Sequence, residues 1–176
     1  MKRFLGLAFL LLLLGNNGAF SQKMDKENTN AKIKAVFIYN FTKYFEWPAD
    51  YRTGNFVITV IGDLALYKEL KEMGMKKSGG PQTFEIRTAG NLNEVERCHI
   101  LFISSSYSNL LSEANVKMKG KNTLIITEKT GLAKMGAAIN FVAVDNKQKF
   151  ELNKKNAEKY GLLVSLNLEK LAILVD

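Results

Sequence analysis

Two short runs, His99-Ile100-Leu101-Phe102-Ile103 and Thr123-Leu124-Ile125-Ile126-Thr127, stay apolar at successive positions. Successive side chains of a strand point to opposite faces, so such a run fits only where both faces are covered. The two runs therefore belong inside a sheet with helices on each side. Helical and strand-like segments alternate around them. Phe56 to Ile61 is β-branched and ends at Gly62-Asp63, and Leu64 to Met73 has helical spacing. Gly74 to Pro81 is a Gly- and Lys-rich loop, Gln82 to Thr88 alternates, and Ser108 to Lys117 is amphipathic. This order predicts an α/β fold with a mixed, largely parallel sheet flanked by helices.

The two ends of the chain differ from that middle. From Ala31, the residues Ile33, Val36, Phe37, Phe41, Tyr44 and Phe45 recur at helical spacing, and Trp47-Pro48 stops the helix because the position before proline disfavours the α region. At the other end, Ala138–Val144 and Gln148–Leu152 flank the polar turn Asp145-Asn146-Lys147, which predicts a β-hairpin. Two short helices are expected after it. Asn153 and Gly161 frame Lys154 to Tyr160 as N-cap and stop, and Ser165 caps a last helix over Leu166 to Leu174.

The first residues concern export. Lys2-Arg3, the apolar run Phe4 to Leu14 and the small residues Ala19 and Ser21 form a signal-peptide pattern with cleavage expected near Ser21. The run is shorter than the roughly 20 apolar residues that span a bilayer. The expected organisation is a signal peptide over 1–21, a flexible polar leader over 22–30, and one α/β domain over 31–176, exported to the periplasm or beyond. Cutting at Ser21 lowers the net charge from +8 to +6. The lysines are scattered as singles and pairs, not gathered into a stripe with exposed aromatics, so nucleic acid is not an expected partner.

Reactive groups are few. The chain has one Cys and one His, and they are neighbours, Cys98-His99. No internal disulfide can form, and adjacent strand residues cannot close on one ion, so no metal or other cofactor is expected. Cys98 reads as a small core hydrophobe and His99 as a hydrogen-bonded core residue. Ser104-Ser105-Ser106 follows the central strand, where open α/β sheets bind ligands, but a serine nucleophile needs a base in reach and His99 lies at the far end of that strand. Gly62-Asp63 lacks a glycine-rich phosphate fingerprint, and Asp63 stands apart from other acids in the sequence. These residues predict a binding protein and not an enzyme. If a ligand or partner touches the strand ends, the contacts are Gly62, Asp63, Ser104, Ser105, Ser106, Thr127 and Glu128. A small-ligand binder is the alternative to a partner-binding protein, and a hydrolase with paired carboxylates ranks behind both.

Several segments carry a resemblance. Lys34-Ala35-Val36-Phe37-Ile38-Tyr39-Asn40-Phe41-Thr42-Lys43-Tyr44-Phe45-Glu46-Trp47-Pro48 resembles the opening helix of the YfiR/HmsC-like periplasmic proteins. Cys98-His99-Ile100-Leu101-Phe102-Ile103-Ser104, Ile139-Asn140-Phe141-Val142, and Phe150-Glu151-Leu152-Asn153 with Ala157 and Gly161-Leu162 are similar to further motifs of that family, in the same order. The resemblance implies a dimeric periplasmic regulator without catalytic residues. Such a protein restrains the extracytoplasmic domain of an inner-membrane signalling protein, a diguanylate cyclase or a sensor kinase, and so affects cyclic-di-GMP and biofilm formation. Tyr39, Asn40, Trp47, Pro48, Cys98, His99, Asn140, Phe141, Phe150, Glu151, Asn153 and Gly161 read first as fold determinants. Asn140 is expected to satisfy backbone groups beside the hairpin. Internal disulfides, known in some members, are ruled out here by the single cysteine.

Overall fold

A computed structural model describes residues 16–76 and 81–176, with side chains from Lys26 onward. Helix α1 (Asn16–Tyr44) leads into strand β1 (Phe45–Glu46), and a 3-10 turn over Ala49–Tyr51 follows. Next come β2 (Phe56–Ile61), α2 (Leu64–Lys76), β3 (Phe84–Ala89), β4 (Ile100–Ile103), α3 (Leu111–Lys117) and β5 (Leu124–Thr127). The chain closes with β6 (Ile139–Val144), β7 (Lys147–Leu152), α4 (Lys154–Lys159), β8 (Leu163–Val164), α5 (Leu166–Glu169) and β9 (Ile173–Leu174).

Seven strands form one sheet in the order β3-β2-β4-β5-β6-β7-β9. The first five are parallel, β7 returns antiparallel to β6, and β9 runs parallel to β7. The expected α/β fold with a largely parallel sheet and a C-terminal hairpin is therefore the observed one. All six residues of β2 and all four of both β4 and β5 are buried, as runs without alternation require. From β2 the chain crosses through α2 to β3 on one side, and from β4 it crosses through α3 to β5 on the other. Right-handed crossovers in opposite directions put α2 and α3 on opposite faces. The order reverses between β2 and β4, which makes their carboxyl ends the topological switch point of the sheet.

Helix α1 lies over the α2 face and locks the hairpin with aromatic rings. Phe41 sits 5.1 Å from Phe150 and 6.1 Å from Phe141, and Phe37 sits 5.5 Å from Phe150, within the usual range for edge and offset pairs. The face it buries differs from the expected one. Ala31, Lys34, Ala35, Ile38, Phe41 and Phe45 are buried, whereas Ile33 and Val36 are exposed. Two alanines lie on the inner stripe, and the bulkier Ile33 and Val36 fall on the outer face.

Four boundaries depart from expectation. Helix α1 begins at Asn16 and not at Ala31, so the leader 22–30 is helical, with Lys26 to Asn30 exposed. No Gly or Pro interrupts residues 22–44, so propagation costs little once the packed half has nucleated the helix. The apolar run Phe4–Leu14 of the expected signal peptide lies outside the described residues, as do residues 77–80 of the Gly-Lys loop. Helix α2 extends three residues beyond Met73, to Lys76. The segment Ser108–Lys117 splits into a 3-10 turn over Ser105–Leu110 and α3 proper. The last expected helix stops at Glu169, because Ile173 and Leu174 pair with Glu151 and Leu152 and extend the sheet as β9.

Local stop signals work as read. The Asn153 side chain accepts from Asn156 N–H at 3.0 Å and caps α4, Ser165 caps α5, and Gly161 takes φ +76° just after α4. The hairpin turn is tighter than expected. Asp145 and Asn146 both adopt positive φ, and Lys147 already belongs to β7.

Candidate functional site

The switch point gathers most of the residues expected at the strand ends. Gly62 and Asp63 follow β2, Ser104, Ser105 and Ser106 follow β4, and Glu128 follows β5. A residue from another element joins them. The Lys34 ammonium, delivered by α1, donates to Asp63 Oδ2 at 2.6 Å and to Glu128 Oε2 at 2.8 Å. The other carboxylate oxygens are held by backbone: Leu66 N–H donates to Asp63 Oδ1 at 2.8 Å, and Ser105 N–H donates to Glu128 Oε1 at 3.0 Å. One cation thus ties a helix to the ends of two strands. Asp63, isolated in sequence, is paired through Lys34 with Glu128.

The clamp is nearly dry. Lys34 is buried, and its ammonium also lies 5.3 Å from the centre of the Phe102 ring. Burial pulls the Lys34 pKa down, but the Glu128 charge and the hydrogen bonds to both carboxylates outweigh it, and the net shift is upward. Above the clamp opens a crevice of about 400 Å³. Its floor and sides include Lys34, Asp63, Glu128, Ser104 and Ser106, and the exposed turn of α1 with Lys26, Glu27 and Asn30 forms one wall.

Gly62 makes this geometry possible. Its φ is +80°, and a Cβ there would collide with Ser104 Oγ and the Tyr107 ring. The Ser104 hydroxyl is buried and has no hydrogen-bond partner. The Ser104 side chain makes no cap hydrogen bond to the turn that follows it. Thr127 also departs from its expected role. It is fully buried and its hydroxyl donates to Asn140 Oδ1 at 2.8 Å, turned toward β6 and away from the crevice. Asn140 in turn donates to Glu151 Oε2 at 2.8 Å, so it joins side chains across three strands and does not serve the backbone groups expected of it.

The opposite end of the sheet holds Cys98 and His99. Val57 N–H donates to His99 Nδ1 at 3.0 Å, so Nε2 carries the proton and donates to the Tyr51 carbonyl at 2.8 Å. The imidazole stacks on Phe56 with centroids 4.2 Å apart, and burial lowers its pKa. Five residues of extended chain, about 16 Å, separate it from Ser104. The Cys98 thiol is buried, and burial pushes its pKa up to about 11. Both behave as the core residues expected. Among the described residues, no three His, Cys, Asp or Glu side chains stand close enough to share a metal ion, and no helix is long and apolar enough to cross a membrane.

A doubly wound sheet with an ion-pair clamp at its switch point defines the class of this α/β domain, and in open sheets of this class ligands lie beyond the carboxyl ends of the strands. The model of the YfiR/HmsC-like family matches residues 31–173, and the chain belongs to that family. This is a family of periplasmic regulators associated with membrane signalling partners, and a regulatory role fits the chain. No curated protein matches the sequence.

Lys34 is the site residue that strand-end reasoning missed. The signal was present in the helix: Ala31, Lys34, Ala35, Ile38 and Phe41 share a stripe at i, i+3, i+4, i+7 and i+10 spacing. A lysine inside such a stripe needs an acid partner, and Asp63 and Glu128 lie just beyond the carboxyl ends of β2 and β5.

Proposed function

We propose that this is a periplasmic regulatory binding protein that represses an inner-membrane signalling protein, a diguanylate cyclase or sensor kinase, by binding its extracytoplasmic domain. The observation that carries the reading is the family match over 31–173, which covers most of the chain. The geometry of the reactive groups supports it. The serine loop lies about 16 Å from the one histidine, and the strand-end acids are engaged by Lys34 and by backbone N–H groups instead of by a free catalytic base. The chain works in this reading without catalysis, as a homodimer, after removal of the segment up to Ser21.

Deleting the gene tests this directly. Loss of a repressor raises cellular cyclic-di-GMP and biofilm mass, and expression in trans restores both. Unchanged cyclic-di-GMP and biofilm, with no change in phosphorylation of an envelope sensor kinase, would refute the reading. Light scattering on the purified protein checks the dimer, whose mass is twice that of one chain.

A further inference from the structure

We infer that the switch-point crevice binds a small molecule carrying a primary ammonium, held by the outer faces of the Asp63 and Glu128 carboxylates. The inference starts from a charge count. Two carboxylates face one ammonium, so the clamp keeps one net negative charge, inside a protein whose overall charge is +8. At the rim, Lys26 and Glu27 cancel. Each carboxylate oxygen accepts one hydrogen bond within the protein and retains a second acceptor site. The acids are also the more accessible members: the Glu128 side chain is 21% exposed and that of Asp63 12%, against 8% for Lys34. A molecule entering the crevice therefore meets free acceptors before it meets the buried cation.

A second observation points the same way. Ser104, 3% exposed, lines this crevice with a hydroxyl that has no partner, although buried polar groups are nearly always paired. Ser106 and the Asn30 amide supply further polar contacts for an amine. A phosphate or carboxylate ligand would face the uncompensated negative charge. A divalent cation would have to expel Lys34 from both of its partners.

The test uses three four-carbon probes of one size and different ends: 1,4-diaminobutane, 1,4-butanediol and succinate, titrated into the 15N-labelled protein. The diamine produces saturable shifts at Gly62, Asp63, Ser104 and Ser106. It binds at least about tenfold tighter than the diol, and succinate leaves these amides unmoved. Raising the salt from 20 to about 300 mM weakens the diamine, as screening of a partly exposed charge requires. Glu128→Gln, which removes the net charge and leaves one carbonyl oxygen for Ser105 N–H or Lys34 but not for both on separate oxygens, costs at least about tenfold in affinity. Equal binding of succinate, diamine shifts scattered over other acidic surfaces, or no saturable shift at 20 mM probe would each overturn the inference. The readout is binding to the isolated protein, so its outcome is independent of whether a membrane partner is repressed.

Discussion

Replacing Lys34 by Met probes the clamp with least disturbance to packing, since the unbranched Met side chain resembles the lysine stem in shape and adapts to its surroundings. The substitution removes two charge-assisted hydrogen bonds, at 2.6 and 2.8 Å, each contributing about 1.5–3 kcal/mol. It also leaves two carboxylates facing each other without a counter-charge. Breaking one side of a buried ion pair costs about 3–5 kcal/mol, and the partial exposure of Asp63 and Glu128 puts this case at the lower end, about 3 kcal/mol. With a urea m-value of about 2 kcal/mol/M, the unfolding midpoint falls by about 1.5 M. Lys34→Met combined with Asp63→Asn and Glu128→Gln removes the buried charge altogether and recovers at least half of that loss. Urea titration followed by circular dichroism reads both variants. A single variant within about 1 kcal/mol of the parent, or a triple variant as unstable as the single, would refute the clamp.

Three further outcomes follow from the same structure. The Cys98 and Tyr160 pKa values are raised by burial, to about 11 and about 12, so their contribution to stability is complete below the unfolded values and is lost as pH climbs toward the folded ones. Chemical denaturation should show stability falling above pH 9 by about 2–3 kcal/mol through pH 11 from Cys98 alone, and Cys98→Ala should flatten that slope; a parent curve flat to pH 11 contradicts the burial of the thiol. Gly62→Ala meets both the left-handed backbone penalty and a collision with Ser104 and Tyr107, for a loss of about 2–4 kcal/mol by denaturant titration, and a neutral result would contradict the φ of +80°. Asn153→Ala removes the cap of α4 and its contact to the Ala133 carbonyl at 3.1 Å, a loss of about 1–2 kcal/mol that Asn153→Asp partly restores.

Signals that are local in sequence translated directly into structure. The apolar runs of β2, β4 and β5 became the buried centre of the sheet, and Asn153, Ser165 and Gly161 stop or start helices where their chemistry demands. Elements decided by distant partners were harder to read. Ile173 and Leu174 carry a helical spacing with Leu166, but the open edge of β7 takes them as a strand. The stripe that α1 buries runs through Ala31, Lys34 and Ala35, which periodicity of large apolar residues does not register. The site followed the same division. The rule that ligands lie beyond strand ends found Gly62, Asp63, the serines and Glu128. It over-reached at Thr127, whose hydroxyl is claimed by Asn140, and it missed Lys34, whose partners lie 29 and 94 residues away.

The account centres on a regulator that acts by holding a membrane protein. The direct measurement is in-cell crosslinking of the full protein, followed by membrane solubilisation and mass spectrometry of the captured chains. The account predicts crosslinks to the extracytoplasmic domain of an inner-membrane protein whose cytoplasmic part synthesises cyclic-di-GMP or phosphorylates a target. Crosslinks confined to soluble envelope proteins, with the membrane fraction empty, would contradict it.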